Sequence, residues 1–513
     1  MPFFLHANQS TVSTRPQNLY TTYVFIIIGF SLLLRLFYIG SNDLLVEEAY
    51  YWNYAQHLDF SYLDHPPMVA FLIKITTFLA GTNEFSVRLP TLFCWILTAF
   101  FSFKLTHLLS RGAGQYALLL LAVLPFFFLQ SLVITPDQPL MACWSAALYC
   151  LYRSAVLDES RYWYAVGIWV GLGLLSKYTI VLLGPATLLY LCMVPAARGW
   201  LSRKEPYVSA LIALLFFTPV IYWNANHEWI SFLFQTTRRL DASYTFALHH
   251  LLGLLVLFLT PLGVVGLGEM FKKTTIRRTN VEIKAIRFFQ AFTLLPLIFF
   301  GLFSLTHEVK FNWIGPGLLA VIPWLAVLIK QSAQLKKPIL LNGWLITSII
   351  LIFSYSSILF VIRFGTPEWA YQTFFPKFIA WSDLSRQINA IANKVERRAH
   401  STPIIIPLDR YEINSEFQFY QAMLLAHGDI QKSYSIQGQH VFGGNSLMYQ
   451  YWSHNEKLTG KTLIIVSTKL TDFESPVLKQ RIITSSQINK FWSHNRGRAT
   501  NITPYYYQVA TMK

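Results

Sequence analysis

The sequence predicts a mainly α, polytopic membrane protein with about eleven transmembrane helices and a C-terminal mixed α/β domain outside the membrane. Three observations predict it. Of 513 residues, 54% are hydrophobic and only 13% charged, a balance unlike that of an ordinary soluble globule. Apolar runs long enough to cross a bilayer recur from Tyr20 to Ile362. Basic residues gather in every second connection between those runs, as the positive-inside rule describes. The net charge of +16 therefore reads as membrane topology and not as a nucleic-acid surface.

The runs lie at 20–40, 89–109, 113–131, 138–156, 162–176, 178–196, 206–223, 246–269, 288–306, 313–330 and 338–362. The fifth is short for a span and closely joined to the sixth. No small-residue cleavage site of signal-peptide type follows the first run, so it reads as a retained helix behind a cytoplasmic N-terminal segment, residues 1–19. Residues 20–363 then form the transmembrane domain. Arg111, Arg153, Lys272, Lys273, Arg277 and Arg278 lie in or beside the connections assigned to the cytoplasm. Those on the other side collect Asp43, Glu47, Glu48, Asp59, Asp64, Asp137, Lys177, Arg238 and Arg239. By alternation the polar residues 364–513 form a soluble domain on that same outer side, with β-like runs PIIIPL and KTLIIVST and a helical segment from Glu412 to Leu425. The four cysteines, Cys94, Cys143, Cys150 and Cys192, all fall in apolar runs and read as inert thiols, neither a disulfide framework nor a metal site. No Gly-rich phosphate loop is present, which favours a lipid-linked donor over a nucleotide used in the cytoplasm.

Chemistry concentrates in the external loop 41–88, and within it in NDLLVEEAYYWNYAQHLDFSYLDHPP, Asn42 to Pro67. Helical spacing puts Glu47, Tyr50, Tyr51 and Tyr54 on one face and turns Glu48 about 100° away, so Glu47 is the carboxylate expected to enter a cleft. Pro66 and Pro67 stop that helix, and PMVAFLIKITTFLA after them is too short to span and reads as an interfacial helix. Asp137, in SLVITPDQPL, stands where an external turn enters a span; it suits a helix N-cap, or a second carboxylate opposite Glu47. Together Glu47 and Asp137 could share a divalent cation through oxygen ligands. Lys177 and Tyr178, in GLGLLSKYT, end a span, where an ammonium either snorkels to headgroups or meets a phosphate; Gly171 and Gly173 just before them allow helices to approach closely. In PVIYWNANHEWISFLFQTTRRL the paired guanidinium groups of Arg238 and Arg239 suit phosphate oxygens.

These strings, in this order and on one side of the membrane, resemble the polyprenyl-phosphate-dependent glycosyltransferases of the GT-C superfamily, of the protein O-mannosyltransferase and aminoarabinose transferase type (glycosyltransferase family 39-like). EEAYYWNYAQHLDFSYLDHPPMVAFLI is similar to the family's first external loop, which usually carries Asp-Glu where this chain has Glu47-Glu48. TPD, GLLSKYT, WN, NHEW and QTTRR resemble later motifs, and DRYEINSEFQFY does so more weakly in the soluble domain. In the aminoarabinose branch a phosphate-touching Lys typically precedes the proline pair; here His65 stands there. The resemblance implies a GT-C fold in a bacterial inner membrane with the active site facing the periplasm. It implies inverting transfer of a sugar from a polyprenyl phosphate to lipid A or lipopolysaccharide core, or secondly to a secreted protein. Glu47, Asp137 and Glu48 would be its catalytic carboxylates, and His65, Arg88, Lys177, Tyr178, Arg238 and Arg239 its donor-phosphate and substrate contacts. A membrane transporter or lipid flippase is the competing class; few acidic residues lie inside spans and no inverted repeat of broken helices is visible, which weighs against it.

Overall fold

The computed structural model describes residues 14–237, 244–279, 281–335, 338–375, 380–453, 458–492, 494 and 504–513. Among them, seven helices are long and apolar enough to cross a membrane: Leu19–Ile39, Glu84–Leu109, Glu205–Asn226, Leu248–Glu269, Ile283–Phe303, Gly315–Ala333 and Ile339–Phe364. Shorter apolar helices, Gly114–Val123, Tyr162–Leu174 and Tyr178–Met193, pack among them. Large apolar side chains such as Ile26, Leu214 and Phe353 face outward on the long helices, as lipid contact demands. The 113–131 run is not one continuous helix. It breaks at Leu124, which is extended (φ −62°, ψ 135°) because it precedes Pro125, and a proline crowds the residue before it out of helical geometry.

Close packing of the bundle uses small residues where the sequence places them. At Gly171 a Cβ would stand 2.6 Å from Phe216 Cβ, so glycine lets the Tyr162–Leu174 helix press onto the Glu205–Asn226 helix. Arg35, buried in the first span, has its guanidinium satisfied by Ser131 Oγ at 2.6 Å and the Ala122 carbonyl at 3.1 Å, and lies over the Trp95 and Phe128 rings. Cys94, Cys143 and Cys150 are buried, whereas Cys192 lies on the helix surface.

Beyond Phe364 the chain forms the helix Trp381–Ala399 and a five-stranded sheet. Strand β1 (Ile404–Pro407) runs parallel to β2 (Thr462–Ser467), and β2 pairs antiparallel with β5 (Pro504–Met512). The far edge of β5 carries the short antiparallel strands β3 (Ile482–Thr484) and β4 (Asn489–Trp492). The helix Glu412–Ala426 connects this sheet to the membrane part.

That connection is a shared core and not a loose lid. Tyr50, Trp52 and Tyr54 of the external loop belong to one apolar cluster with Ile388, Phe417, Phe419 and Tyr449 of the soluble domain. Trp52 packs edge-on against Phe419, with centroids 5.2 Å apart, and Tyr420 Oη accepts from the Leu44 backbone N–H at 2.8 Å. Burial of so much aromatic surface holds the two parts in register.

Candidate active site

The helix Val46–Gln56 begins directly on the carboxylate pair, and the two carboxylates part company there. Glu48 is fully buried and Glu47 is exposed. Glu48 receives a fork from Arg88, itself fully buried: Nε to Oε1 at 2.9 Å and Nη2 to Oε2 at 2.6 Å. It also accepts from the backbone N–H groups of Leu45 and Ile134. The remaining guanidinium hydrogens go to the Asn42 and Asp43 carbonyls, each at 2.7 Å. Arg88 is thus engaged inside the protein, and Glu48 clamps the loop, the Glu84–Leu109 helix and the turn before Asp137 to one another.

The face opposite Glu48 carries a polar cluster. Asp64 accepts from the hydroxyls of Tyr54 and, at 3.4 Å, of Tyr50. Burial raises the Asp64 carboxyl above its usual range, and the Tyr54 hydrogen bond opposes that rise. Burial, followed by the charges of Asp64, Glu47 and Asp137, pushes the Tyr51 hydroxyl well up. These three carboxylates, from three separate stretches of chain, act on one phenol. His65 adds its ring 5.8 Å from that of Tyr51.

Asp137 opens the helix Asp137–Leu151 as its first residue, so it is not the N-cap, a position held by Pro136. It is buried, and both of its oxygens are taken: Lys177 Nζ donates to Oδ1 at 2.7 Å and Asn312 Nδ2 to Oδ2 at 2.6 Å. Lys177 sits in an extended kink (φ −160°, ψ 136°) between Tyr162–Leu174 and the turn Tyr178–Leu182, which turns its ammonium to the cluster and away from headgroups. Tyr178 Oη lies 2.9 Å from Ser231 Oγ. An apolar cavity of about 490 Å³ opens from this point. Phe299, Phe300, Phe303, Val181 and Leu182 line its length, and Asp64, His65, Lys177 and Tyr178 its polar end.

Asp64, His65, Lys177 and Tyr178 therefore line one cavity, Asp137 joins it through Lys177, and Glu47 reaches the cluster by its charge on Tyr51, while Arg88 and Glu48 stand behind it. Arg238 and Arg239 lie outside the described residues. Sequence reasoning passed over Asp64, Asn312 and Arg410 as site residues. Arg410, half-buried on the soluble domain, acts electrostatically on Asp64 and Tyr411, and its Nη2 is buried with no hydrogen-bond partner among the described residues. Its signal was the DRYEIN string; Asp64 was marked only by its place before the prolines.

A second carboxylate, Asp43, ties the loop to the soluble domain by accepting from the Ser382 N–H at 3.3 Å. Burial first, and then Glu84, raise its pKa to about 7, against backbone hydrogen bonds and Arg88. Glu416 and Tyr420 also face it. A carboxyl raised in the folded state stabilises that state below its unfolded pKa of 3.8, and the contribution is lost as pH rises through about 7. Thermal stability should therefore fall as pH rises from about 4 to about 7, and Asp43→Asn should flatten that slope and raise Tm at pH 8 by about 5 °C. An unchanged slope in the variant would remove Asp43 as its source.

Comparison with known proteins places these features. A family model described as dolichyl-phosphate-mannose-protein mannosyltransferase matches residues 64–223. The chain is 26% identical over 206 residues to the lipid A galacturonosyltransferase RgtD of Rhizobium johnstonii; the match covers 40% of this chain and spans 43% of that relative's length. Crystal structures of ArnT from Cupriavidus metallidurans match almost end to end. The apo form gives a TM-score of 0.61 at 11% identity over 96% of this chain and 98% of that one. The form bound to undecaprenyl phosphate gives 0.60 at 12% identity over 95% and 98%. The end-to-end likeness shows the fold, and the matched family segment spans the stretch that carries Asp64, His65, Asp137, Lys177 and Tyr178.

Proposed function

We propose that the chain is an inverting glycosyltransferase that moves a sugar from a polyprenyl-phosphate donor to an envelope acceptor, lipid A or lipopolysaccharide core before secreted protein. The reaction would run on the periplasmic face of the bacterial inner membrane. One observation carries this reading: an apolar cavity of about 490 Å³ whose polar end carries Lys177, His65 and Asp64. The relative named for lipid A and the neighbour bound to undecaprenyl phosphate support the same donor and acceptor classes.

In this reading the prenyl chain lies along Phe299, Phe300 and Phe303, and the phosphate meets Lys177 and His65. Arg238 and Arg239, which follow the cavity-lining Gln235 and Thr236 in sequence, would add guanidinium donors to it. An acceptor oxygen attacks the anomeric carbon as the bond from that carbon to the phosphate oxygen breaks. The configuration inverts, the polyprenyl phosphate leaves with the bonding pair, and Glu47 takes the proton of an acceptor hydroxyl. Lys177 steadies the charge that grows on the leaving phosphate.

A divalent cation shared by Glu47 and Asp137 does not fit the donor set, because an ammonium and an amide already occupy both oxygens of Asp137. No step is assigned to one, and transfer should persist in EDTA.

Undecaprenyl phosphate binding to the full chain in nanodiscs tests the donor. Lys177→Met combined with Asp137→Asn, which leaves no buried carboxylate unpaired, should weaken it by about tenfold or more. Equal binding would overturn the phosphate assignment. Mass spectrometry of envelope lipids with and without the gene tests the acceptor: lipid A or core should lose one sugar mass, and a loss confined to secreted proteins would select the other acceptor.

A further inference from the structure

A second cavity lies on the other side of the helix Val46–Gln56, outside the cleft. It has a volume of about 560 Å³ and is walled by that helix, by the helix Glu412–Ala426 and by the segment 433–437. Resting on the glycosyltransferase reading above, we propose that this groove binds the neutral saccharide portion of the acceptor, beyond the sugar or hydroxyl that reacts.

Its wall has the chemistry of carbohydrate recognition. Gln56, Gln418 and Gln421 supply amides, and Trp52, Tyr434 and Trp452 supply rings. Each amide both donates and accepts, as each sugar hydroxyl does, and the electron-rich faces of the rings suit the C–H faces of a pyranose. The wall is preformed: Trp52 and Gln421 are more than nine-tenths buried, and the Gln421 side chain is held because Oε1 accepts the Tyr434 N–H at 2.8 Å.

Other occupants fit less well. Among the described residues no Lys, Arg, Asp or Glu lines the groove, and burial lowers the pKa of His57, so none of them neutralises an anion. A lipid chain would leave the amides dry. A peptide adding as a strand would need the free edge of segment 433–437. There the Tyr434 N–H goes to Gln421, and the neighbouring Lys432 carbonyl accepts from Asn389 at 2.8 Å.

The groove is also placed for an acceptor that reacts at Glu47. Tyr449 and Trp452 in its wall pack on Tyr50 and Tyr54, with centroids 5.9 Å and 5.7 Å apart, and those two tyrosines hold Asp64 in the cleft. One aromatic layer separates the two sites, so a branched glycan can occupy both around the rim.

The test is an array of neutral oligosaccharides probed with the full-length protein in detergent, with undecaprenyl phosphate binding measured on the same preparation. At least one class of neutral glycan should bind. Ala422→Trp, which fills the groove without deleting a contact, and Gln56→Ala should each weaken it by about tenfold or more, with donor binding unchanged. Thermal unfolding and donor binding report that the variants are folded. The proposal is overturned if undecaprenyl phosphate binds and no neutral glycan does, if glycan binding ignores Ala422→Trp, or if acidic glycans or peptides are what Ala422→Trp displaces. Glycan binding without donor binding would uphold the groove and sink the donor reading instead.

Discussion

Arg88→Met is expected to cost about 3–5 kcal/mol of stability, because it leaves the Glu48 carboxylate buried with no counter-charge. Both side chains are fully shielded from solvent, and water cannot replace the lost partner. The damage extends beyond the pair. Glu48 also anchors the Ile134 N–H, which leads into the turn before Asp137, and Arg88 holds the Asn42 and Asp43 carbonyls at the loop entrance. Thermal unfolding in detergent and protease cleavage within residues 42–67 should both report the loss. Glu48→Gln on top of Arg88→Met should recover part of it, since a neutral amide still accepts from Ile134 and no longer strands a charge. A single Arg88→Met variant that melts with the wild type would show that the pair is not what holds the loop.

The pair also shows what could be read from the sequence and what could not. Hydropathy located the long spans, and two apolar runs became β1 and β2, because membrane crossing and a buried strand each need a local run of apolar residues. Local spacing also separated Glu47 from Glu48 by face. It could not show that Glu48 would meet an arginine 40 residues later, nor that Asp137 would take Lys177 and, far along the chain, Asn312. Those partners are set by how helices pack, which no short window contains. Arg88 consequently looked like a phosphate contact, although the fold uses its guanidinium inside the protein. Strands β3 to β5 were missed for a related reason: β3 and β4 are short, and their place depends on pairing with β5 at the end of the chain.

Glu47→Gln is expected to lower turnover by roughly 10² or more while leaving donor binding and Tm near wild type. Glu47 is the carboxylate of the pair that reaches solvent, and together with Asp64 and Asp137 it acts on the Tyr51 hydroxyl. Asp137 is committed to Lys177 and Asn312, and Asp64 already accepts from the Tyr54 and Tyr50 hydroxyls, so the oxygens of both are held in hydrogen bonds inside the cluster. The amide introduced by Glu47→Gln keeps the size and the helix start and loses only the basic oxygen. Glu47→Asp, the residue type usual at this position in the family the chain resembles, should retain much more activity than Glu47→Gln if placement and charge are what matter. If Glu47→Gln turns over like wild type with a hydroxyl acceptor, Glu47 is not the base. If the acceptor proves to be a phosphate, already ionised and in need of no base, Glu47→Gln should spare turnover, and Lys177 would then carry the larger share of the effect.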